Sequence, residues 1–133
     1  MSDSNVDASC PFCGDHPTNL AAENQLAFAK WDGYPLSKGH ALVIPRRHVP
    51  SFFDCTHEER VAMLELLDAT KLIIDSLHKP HGYNIGINNG AAAGQTVMHL
   101  HIHLIPRYEG DRADPRGGVR WIIPEKAAYW EKK

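Results

Sequence analysis

The sequence has little of what marks several large classes of protein. Its 133 residues include three cysteines, an odd number that argues against a disulfide framework and indicates a reducing compartment. The formal net charge of −2 gives no sign of electrostatic binding to nucleic acid or to a membrane surface. No apolar run is long enough to span a bilayer, and the opening MSDSNVDAS lacks the basic and apolar parts of a signal peptide. We therefore expect a cytoplasmic protein that binds neither nucleic acid nor membranes.

Histidine, in contrast, is abundant and clustered. Three of the nine histidines, His99, His101 and His103, alternate with apolar residues in the stretch QTVMHLHIHLIPR. Successive side chains of a strand point to opposite faces, so the three imidazoles share one face, roughly 7 Å apart. The residues between and after them, Leu100, Ile102 and Leu104, are then expected to face a core. The pattern predicts a half-buried strand over residues 97–105 that carries a functional site.

The remaining chain predicts an α+β fold. Residues 56–59 (THEE) form a capping box, and apolar residues recur after it at helical spacing to about residue 77. Further strands are expected at 25–31, 40–44 and 83–88, with a short strand and then a short C-terminal helix in WIIPEKAAYWEKK. We predict one mainly antiparallel sheet of about five strands, one long helix, and a single domain over residues 10–133 behind a flexible tail, residues 1–9.

Three interpretations of the histidine strand are possible. The histidines could be incidental, although three at strict alternation make that interpretation weak. They could all bind one metal ion, but the outer two lie on the order of 13 Å apart along a strand. They could instead be catalytic, since a neutral imidazole is a nucleophile near pH 7 and its neighbours could donate hydrogen bonds to a phosphoryl group. The glycine-rich loop before the strand, NNGAAAGQT, supplies uncharged donors and lacks the pattern of a P-loop.

At this point the sequence resembles a known family. The stretch HLHIHLI matches the alternating signature of the histidine-triad (HIT) family of nucleotidyl hydrolases and transferases, and GHALVIP at residues 39–45 resembles the family's second landmark. The resemblance covers roughly residues 10–107. The GQTV and PR that flank the triad are similar to the branch that cleaves dinucleoside polyphosphates, whereas the CPFC stretch is similar to bacterial members that contain zinc.

The resemblance implies a HIT-like fold and a role for each matching residue. His101 is expected to attack the α-phosphorus of a nucleotide and form a covalent nucleotidyl-histidine, which water then hydrolyses. The implied catalytic residues are His101, His103 and Thr96, and the implied substrate-binding residues are Asp32, His40, Asn88, Gln95 and Phe12. Among these, Asp32 is expected to accept hydrogen bonds from ribose hydroxyls, although Asp-Gly is also an ordinary turn. Phe12 is expected either in a base pocket or in the core.

The resemblance also implies a structural zinc site. The spacing of Cys10 and Cys13 is that of a metal knuckle, but the pair could also be free thiols or a redox pair. By resemblance, the four ligands are Cys10, Cys13, His48 and His99, and Cys55 lies outside the pattern. A His99 that binds zinc is not free to protonate a leaving group. Thr96 or solvent would then assist its departure, or the leaving group would already be a good one.

Three functions remain open from the sequence. The leading hypothesis is hydrolysis of a nucleotide P–O or P–N bond in diadenosine polyphosphates, nucleoside phosphoramidates or other AMP-linked molecules. The alternatives are a nucleotide-binding regulatory module with negligible turnover, and a zinc protein in which the triad is mainly a ligand. The family resemblance further implies a homodimer.

Overall fold

The chain folds into a five-stranded antiparallel sheet with one long helix against it. The computed structural model describes residues 9–14 and 19–131, so the tail predicted for residues 1–9 lies outside the described residues except for Ser9. The sheet order is β1-β2-β3-β5-β4. The elements are β1 (Leu20–Glu23), β2 (Ala27–Trp31), β3 (Ala41–Pro45), α1 (His57–His78), β4 (Gly82–Ile87) and β5 (Ile102–Arg107). The predicted α+β class, strand number and long helix are confirmed.

The two faces of the sheet bury different sets of residues. One face packs against α1, where Met63 and Leu66 meet Val43 and Ile102. As expected from the alternation, Leu100, Ile102 and Leu104 are all buried. The opposite face carries a smaller apolar cluster of Phe12, Phe28, Leu42 and Ile44. Because β-strand side chains alternate, this second face is the one to which the triad side chains of β5 belong.

The histidine strand is shorter than the pattern predicts. It pairs with β3 only from Ile102 onward, with Val43 opposite Ile102 and Leu42 opposite His103. Pro45 has no N–H with which to extend the ladder, and the Leu100 N–H donates instead to the Val49 carbonyl at 2.8 Å. His99 and His101 therefore lie in a segment that leaves the sheet, which frees them from a uniform strand geometry.

Two other elements differ from expectation. Strand β1, whose sequence LAAE lacks the β-branched and aromatic residues that signal a strand, pairs with β2 all the same. The predicted C-terminal strand is absent from the described residues, where Gly118–Ile122 and Pro124–Lys126 form two short 3₁₀ turns. Pro124 at the first position of its turn favours helical φ, so the predicted helical turn forms in this segment, whereas the predicted strand before it does not. None of the helices in the described residues has the length and apolar character needed to cross a bilayer.

The helix α1 is tied at its start to the segment that carries His48. The capping box is present: the Thr56 hydroxyl accepts a hydrogen bond from the Glu59 N–H at 3.0 Å, and the Glu59 carboxylate accepts one from the Thr56 N–H at 2.8 Å. The same buried carboxylate accepts two hydrogen bonds from Arg47, at 2.9 and 2.8 Å. Arg47 directly precedes His48, so the helix start fixes the position of a candidate ligand.

One glycine is required next to a candidate site residue. Gly39 has φ near 90°, and a Cβ atom at this position would lie 3.0 Å from the His78 side chain and 3.3 Å from the Pro106 side chain. Any other residue would meet both the left-handed backbone penalty and these contacts. The backbone at Gly39 therefore brings His40 into β3 beside β5.

Removal of the Thr56 hydroxyl should weaken the start of α1. We expect Thr56→Ala to lower the free energy of unfolding by about 1 kcal/mol, because one helix N–H loses its acceptor. Urea unfolding measures the change, and Thr56→Ser, which keeps the hydroxyl, is the matched control. Equal losses in the two variants would contradict the role of the cap.

The Arg47–Glu59 interaction should make stability depend on pH. The Arg47 hydrogen bonds, opposed in part by burial, lower the pKa of Glu59 below its ordinary value of 4.5. A lowered carboxyl pKa means that the ionised Glu59 stabilises the fold above that ordinary value, and that this stability is lost as the pH falls through the folded-state pKa.

We therefore expect Glu59→Gln to be less stable than the wild type at pH 7, with the difference shrinking as the pH falls below 4.5. Urea unfolding at a series of pH values tests this. The control is Glu58→Gln, which removes the same charge from an exposed position of the same turn. A pH dependence shared by both variants would rule out a specific effect of Glu59.

Candidate active site and metal cluster

The three triad histidines have three different environments. His99 is fully buried, whereas His101 and His103 are half-buried. The His99 Nε2 lies 2.7 Å from the Pro45 carbonyl oxygen. A carbonyl only accepts, so Nε2 carries the proton and the lone pair of His99 is on Nδ1. This nitrogen points to the two cysteines of the CPFC stretch.

The four predicted metal ligands converge in the structure. The His99 Nδ1 lies 3.4 Å from the Cys10 Sγ and 3.5 Å from the Cys13 Sγ, and the His48 Nδ1 lies 3.3 Å from the Cys13 Sγ. One ligand atom from each of the four residues falls within 4.8 Å of the others. A tetrahedral zinc ion with bonds of about 2.3 Å to sulfur and about 2.0 Å to nitrogen requires S–N separations of about 3.5 Å. The donor set and its spacing thus fit a Cys₂His₂ metal site.

His101 presents one ring nitrogen as a base or nucleophile. Its Nδ1 lies 2.9 Å from the backbone carbonyl oxygen of His99, so Nδ1 is the protonated nitrogen of the neutral ring. The lone pair is therefore on Nε2. The His101 ring also packs edge-to-face with the Phe12 ring, with ring centroids 5.0 Å apart. The ring is held on two sides, with its reactive nitrogen defined.

His103 lies beside His101 and is coupled to His40 and Asp32. The His101 and His103 ring centroids are 5.2 Å apart. His103 Nδ1 lies 3.0 Å from the Nε2 of the buried His40, which is 3.3 Å from an Asp32 carboxylate oxygen. Burial, with the neighbouring His101 and His40, lowers the pKa of His103 to about 4, and burial also lowers the pKa of His40 against the opposing effect of Asp32. Both rings are thus neutral at neutral pH.

Asn88 and Thr96 lie at the two ends of the glycine-rich loop, and both have exposed side chains. Asn88 follows β4 directly, one position beyond Ile87, which pairs with Ile102. His101 directly precedes Ile102, so Asn88 and His101 both lie one residue beyond this last pair of the ladder, and the Asn88 side chain is exposed. Thr96 is also exposed. These two residues lie on the segments that flank the triad, and their roles stay predictions.

Gln95 makes contacts that differ from those expected of a substrate-binding residue. Its side chain is buried, accepts a hydrogen bond from the Gly90 N–H at 2.8 Å, and donates to the Pro50 and Val97 carbonyls at 2.9 and 3.2 Å. Both amide protons are thus used within the protein. These contacts brace the loop against the segment after β3, and a direct substrate contact by Gln95 stays a prediction.

Phe12 and Asp32 combine structural contacts with positions at the site. Phe12 is a buried member of the cluster with Phe28 and Leu42, yet its ring also meets His99 and His101. Asp32 accepts a hydrogen bond from the Tyr34 N–H at 2.8 Å, which is the turn contact that the Asp-Gly pair predicts. Its second carboxylate oxygen faces His40. The predicted base and ribose contacts of Phe12 and Asp32 stay predictions.

Some groups at the site were missed from the sequence. Lys30 lies on the triad face, because it pairs with Leu42, which pairs in turn with His103; its ammonium is 5.3 Å from the centre of the Phe12 ring. The alternation of side chains along β2 could have shown which face of the sheet carries Lys30. Only the strand register shows which residues lie next to it. The Pro45 carbonyl sets the tautomer of His99, and the His99 carbonyl sets that of His101. Both are backbone groups, so no residue type in the sequence indicates them.

Comparisons with known proteins identify the family. The HIT domain family model matches residues 14–110. An adenosine 5′-monophosphoramidase of Schizosaccharomyces pombe is 40% identical over 103 residues, 74% of this chain and 74% of the relative. An AP-4-A phosphorylase of Mycobacterium tuberculosis is 33% identical over 102 residues, 76% of this chain, which spans 52% of that relative.

A solved structure of a family member also resembles this chain. A zinc-bound histidine triad family protein from Mycobacterium smegmatis has a TM-score of 0.64 to this chain at 34% identity, with 71% of this chain and 69% of that chain covered. The family match extends over most of the chain and includes the triad, the loop before it and the landmark at residues 39–45. The chain belongs to the HIT domain family.

Proposed function

We propose that this protein hydrolyses a P–O or P–N bond of a nucleotide through a covalent nucleotidyl-histidine on His101. The Nε2 of His101 attacks the α-phosphorus, and the bond to the leaving group breaks with its electron pair going to the leaving group. Water then attacks the same phosphorus and gives up a proton to the solvent, the P–N bond breaks with its electron pair returning to the His101 Nε2, and the nucleoside monophosphate leaves. The ring returns to its neutral state.

The observation that supports this proposal best is the hydrogen bond between the His101 Nδ1–H and the His99 carbonyl, at 2.9 Å. It leaves the lone pair on Nε2, as a nucleophile requires. The same carbonyl would stabilise the positive charge that the ring gains once Nε2 has bonded to phosphorus.

The α-phosphate would be held by neighbours of His101. His103, whose ring is adjacent and neutral, would donate a hydrogen bond to a phosphoryl oxygen. The exposed amide of Asn88, one residue beyond the last β4–β5 pair, is our second candidate donor. Such donors stabilise the oxygens on which charge develops in the transition state. Thr96 is our candidate for the hydroxyl that assists the leaving group.

His99 is poorly suited to protonate a leaving group. Its Nε2–H is committed to the Pro45 carbonyl, and its Nδ1 faces the two cysteines. The departing group must therefore take its proton from Thr96 or solvent, or be stable as an anion. This requirement favours leaving groups such as a polyphosphate.

The substrate class that we propose is AMP linked to a leaving group. Relatives of this chain are named as an AP-4-A phosphorylase and an adenosine 5′-monophosphoramidase. Their names share adenosine and differ in the rest of the substrate. Diadenosine polyphosphates and adenosine phosphoramidates are thus the substrates to test first, with Asp32 as acceptor for the ribose hydroxyls and Phe12 beside the base.

We further propose that Cys10, Cys13, His48 and His99 bind a structural zinc ion. The convergence of four soft and borderline ligands supports this, as does the zinc-bound relative from Mycobacterium smegmatis. The ion would fix the CPFC segment, including Phe12, against the sheet. It would add stability and hold His99, without a direct part in the chemistry.

A homodimer that functions in the cytoplasm completes the proposal. Strand β4 is at the edge of the sheet, where its outer N–H and C=O groups can pair with a second copy. Ile85 of β4 is 51% exposed, which is consistent with such a contact. Two sheets could then join into one longer sheet.

Loss of the nucleophile should abolish turnover without loss of the fold. We expect His101→Ala to reduce AMP release from a diadenosine polyphosphate or an adenosine phosphoramidate by about 10³-fold or more. Mass spectrometry of base-quenched wild-type protein should show one nucleotidyl group on His101. His57→Ala, which removes an exposed histidine at the start of α1, is the control and should keep full activity.

Wild-type turnover by His101→Ala would overturn the nucleophile assignment. A wild-type protein that binds AMP but releases none from either substrate would instead indicate the regulatory binding module.

Zinc content should follow the four proposed ligands. We expect elemental analysis to find about one zinc per chain in the wild type and much less in Cys13→Ser, whose thermal midpoint should also fall. Cys13 is chosen because its sulfur contacts both His48 and His99. Cys55→Ser, at a buried cysteine outside the cluster, should retain zinc. A wild type that is free of zinc after growth in zinc-supplemented medium would exclude the site.

A further inference from the structure

We infer that His40 is a positioning residue that fixes the protonated nitrogen of His103, so that His103 always presents an N–H to the site. The kinetic part of this inference rests on the proposed function, whereas the structural part does not. His40 is 3% exposed, which leaves little room for direct contact with a substrate. Its effect on the reaction must therefore pass through its neighbours.

The chain of hydrogen bonds begins at the backbone of Leu36. The Leu36 N–H lies 3.0 Å from the His40 Nδ1, and a backbone N–H can only donate. The Nδ1 of His40 is therefore the unprotonated nitrogen. In a neutral ring, the proton must then be on Nε2.

The second step transfers this constraint to His103. The His40 Nε2–H faces the His103 Nδ1 at 3.0 Å and an Asp32 carboxylate oxygen at 3.3 Å. If the His103 Nδ1 carried a proton, that proton would face the His40 Nε2–H at hydrogen-bond distance and repel it. This holds whether His40 donates mainly to His103 or mainly to Asp32. His103 therefore keeps its lone pair on Nδ1 and its proton on Nε2. Burial keeps both rings neutral, since the pKa of each is lowered.

A metal ion is a poor alternative for this trio. The donor atoms of Asp32, His40 and His103 do lie within 4.8 Å of one another, as in a two-histidine, one-carboxylate site. A histidine ligand must offer an unprotonated nitrogen to the metal. The His40 Nε2 would have to lose its proton while Nδ1 still faces the Leu36 N–H, which requires an imidazolate. The hydrogen-bonded chain satisfies every group without this cost.

The loop that supplies the Leu36 N–H is itself held in place. The Asp32 N–H donates to the His40 carbonyl at 2.9 Å, and the His40 N–H donates to the Ser37 carbonyl at 3.2 Å. The Ser37 hydroxyl donates to the Pro106 carbonyl, next to the end of β5, at 2.6 Å. The loop between β2 and β3 thus determines, through His40, which nitrogen of His103 in β5 carries the proton.

Two substitutions at His40 distinguish the role of its Nε2 from that of its Nδ1. The amide nitrogen of glutamine can occupy the place of Nε2 and donate to His103, whereas the amide oxygen of asparagine can occupy only the place of Nδ1 and accept from Leu36. We expect His40→Gln to keep kcat within about threefold of the wild type. His40→Asn should lose about tenfold or more in kcat with a smaller change in KM, because the phosphate donor is no longer fixed.

Nitrogen-15 NMR of the imidazoles reads the tautomer directly, without substrate. The wild type and His40→Gln should show His103 protonated on Nε2, and His40→Asn should show a mixture of the two tautomers. Thermal melting of both variants verifies that they fold.

A wild-type His103 protonated on Nδ1 overturns the inference, whether or not the variants fold. So does a His40→Asn protein whose His103 tautomer and kcat equal those of the wild type. If no substrate is turned over by any of the three proteins, the proposed function fails, and the NMR result still decides the role of His40.

Discussion

The candidate site depends on one constraint: each triad imidazole is held through one ring nitrogen, so that the other is committed to a single task. The His101 Nδ1–H on the His99 carbonyl is the central case, because it leaves Nε2 as the lone-pair nitrogen. In His99 the protonated nitrogen is Nε2, which donates to the Pro45 carbonyl, and the lone pair is on Nδ1, which faces the cysteines. Three chemically identical side chains are thereby restricted to different ring nitrogens, which suits the different roles that we propose for them as metal ligand, nucleophile and phosphate donor.

Residues 99–101 join the candidate metal ligands to the candidate active site. His99 offers its side chain to the cysteines and its carbonyl to His101. A metal ion that holds the His99 ring would therefore also restrain the carbonyl that orients the nucleophile. This connection would give the proposed structural ion a reason to lie next to the proposed nucleophile, although the ion would take no part in bond making or breaking. Phe12, between the two sites, packs its ring against both His99 and His101.

Much of the framework could be predicted from local patterns. The capping box placed the start of α1 at its true residue, and the alternation of Leu100, Ile102 and Leu104 identified the buried side of the histidine segment. The prediction failed where tertiary context decides: β1 forms from a sequence without β-branched or aromatic residues because β2 offers it a partner. It also failed to find the early end of the β3–β5 ladder at Pro45.

The sequence by itself determined which residues could act: three alternating histidines on one side of the chain, a cysteine pair at ligand spacing, and the family signature around them. Only the tertiary structure decided which nitrogen of each ring is available. The deciding partners are the backbone groups of Pro45, His99 and Leu36, together with the ring of His40. A carbonyl or an N–H is the same for nearly every residue type, and the Pro45 carbonyl lies 54 positions from His99 along the chain. No residue pattern can encode such a contact, because the fold alone brings these groups together.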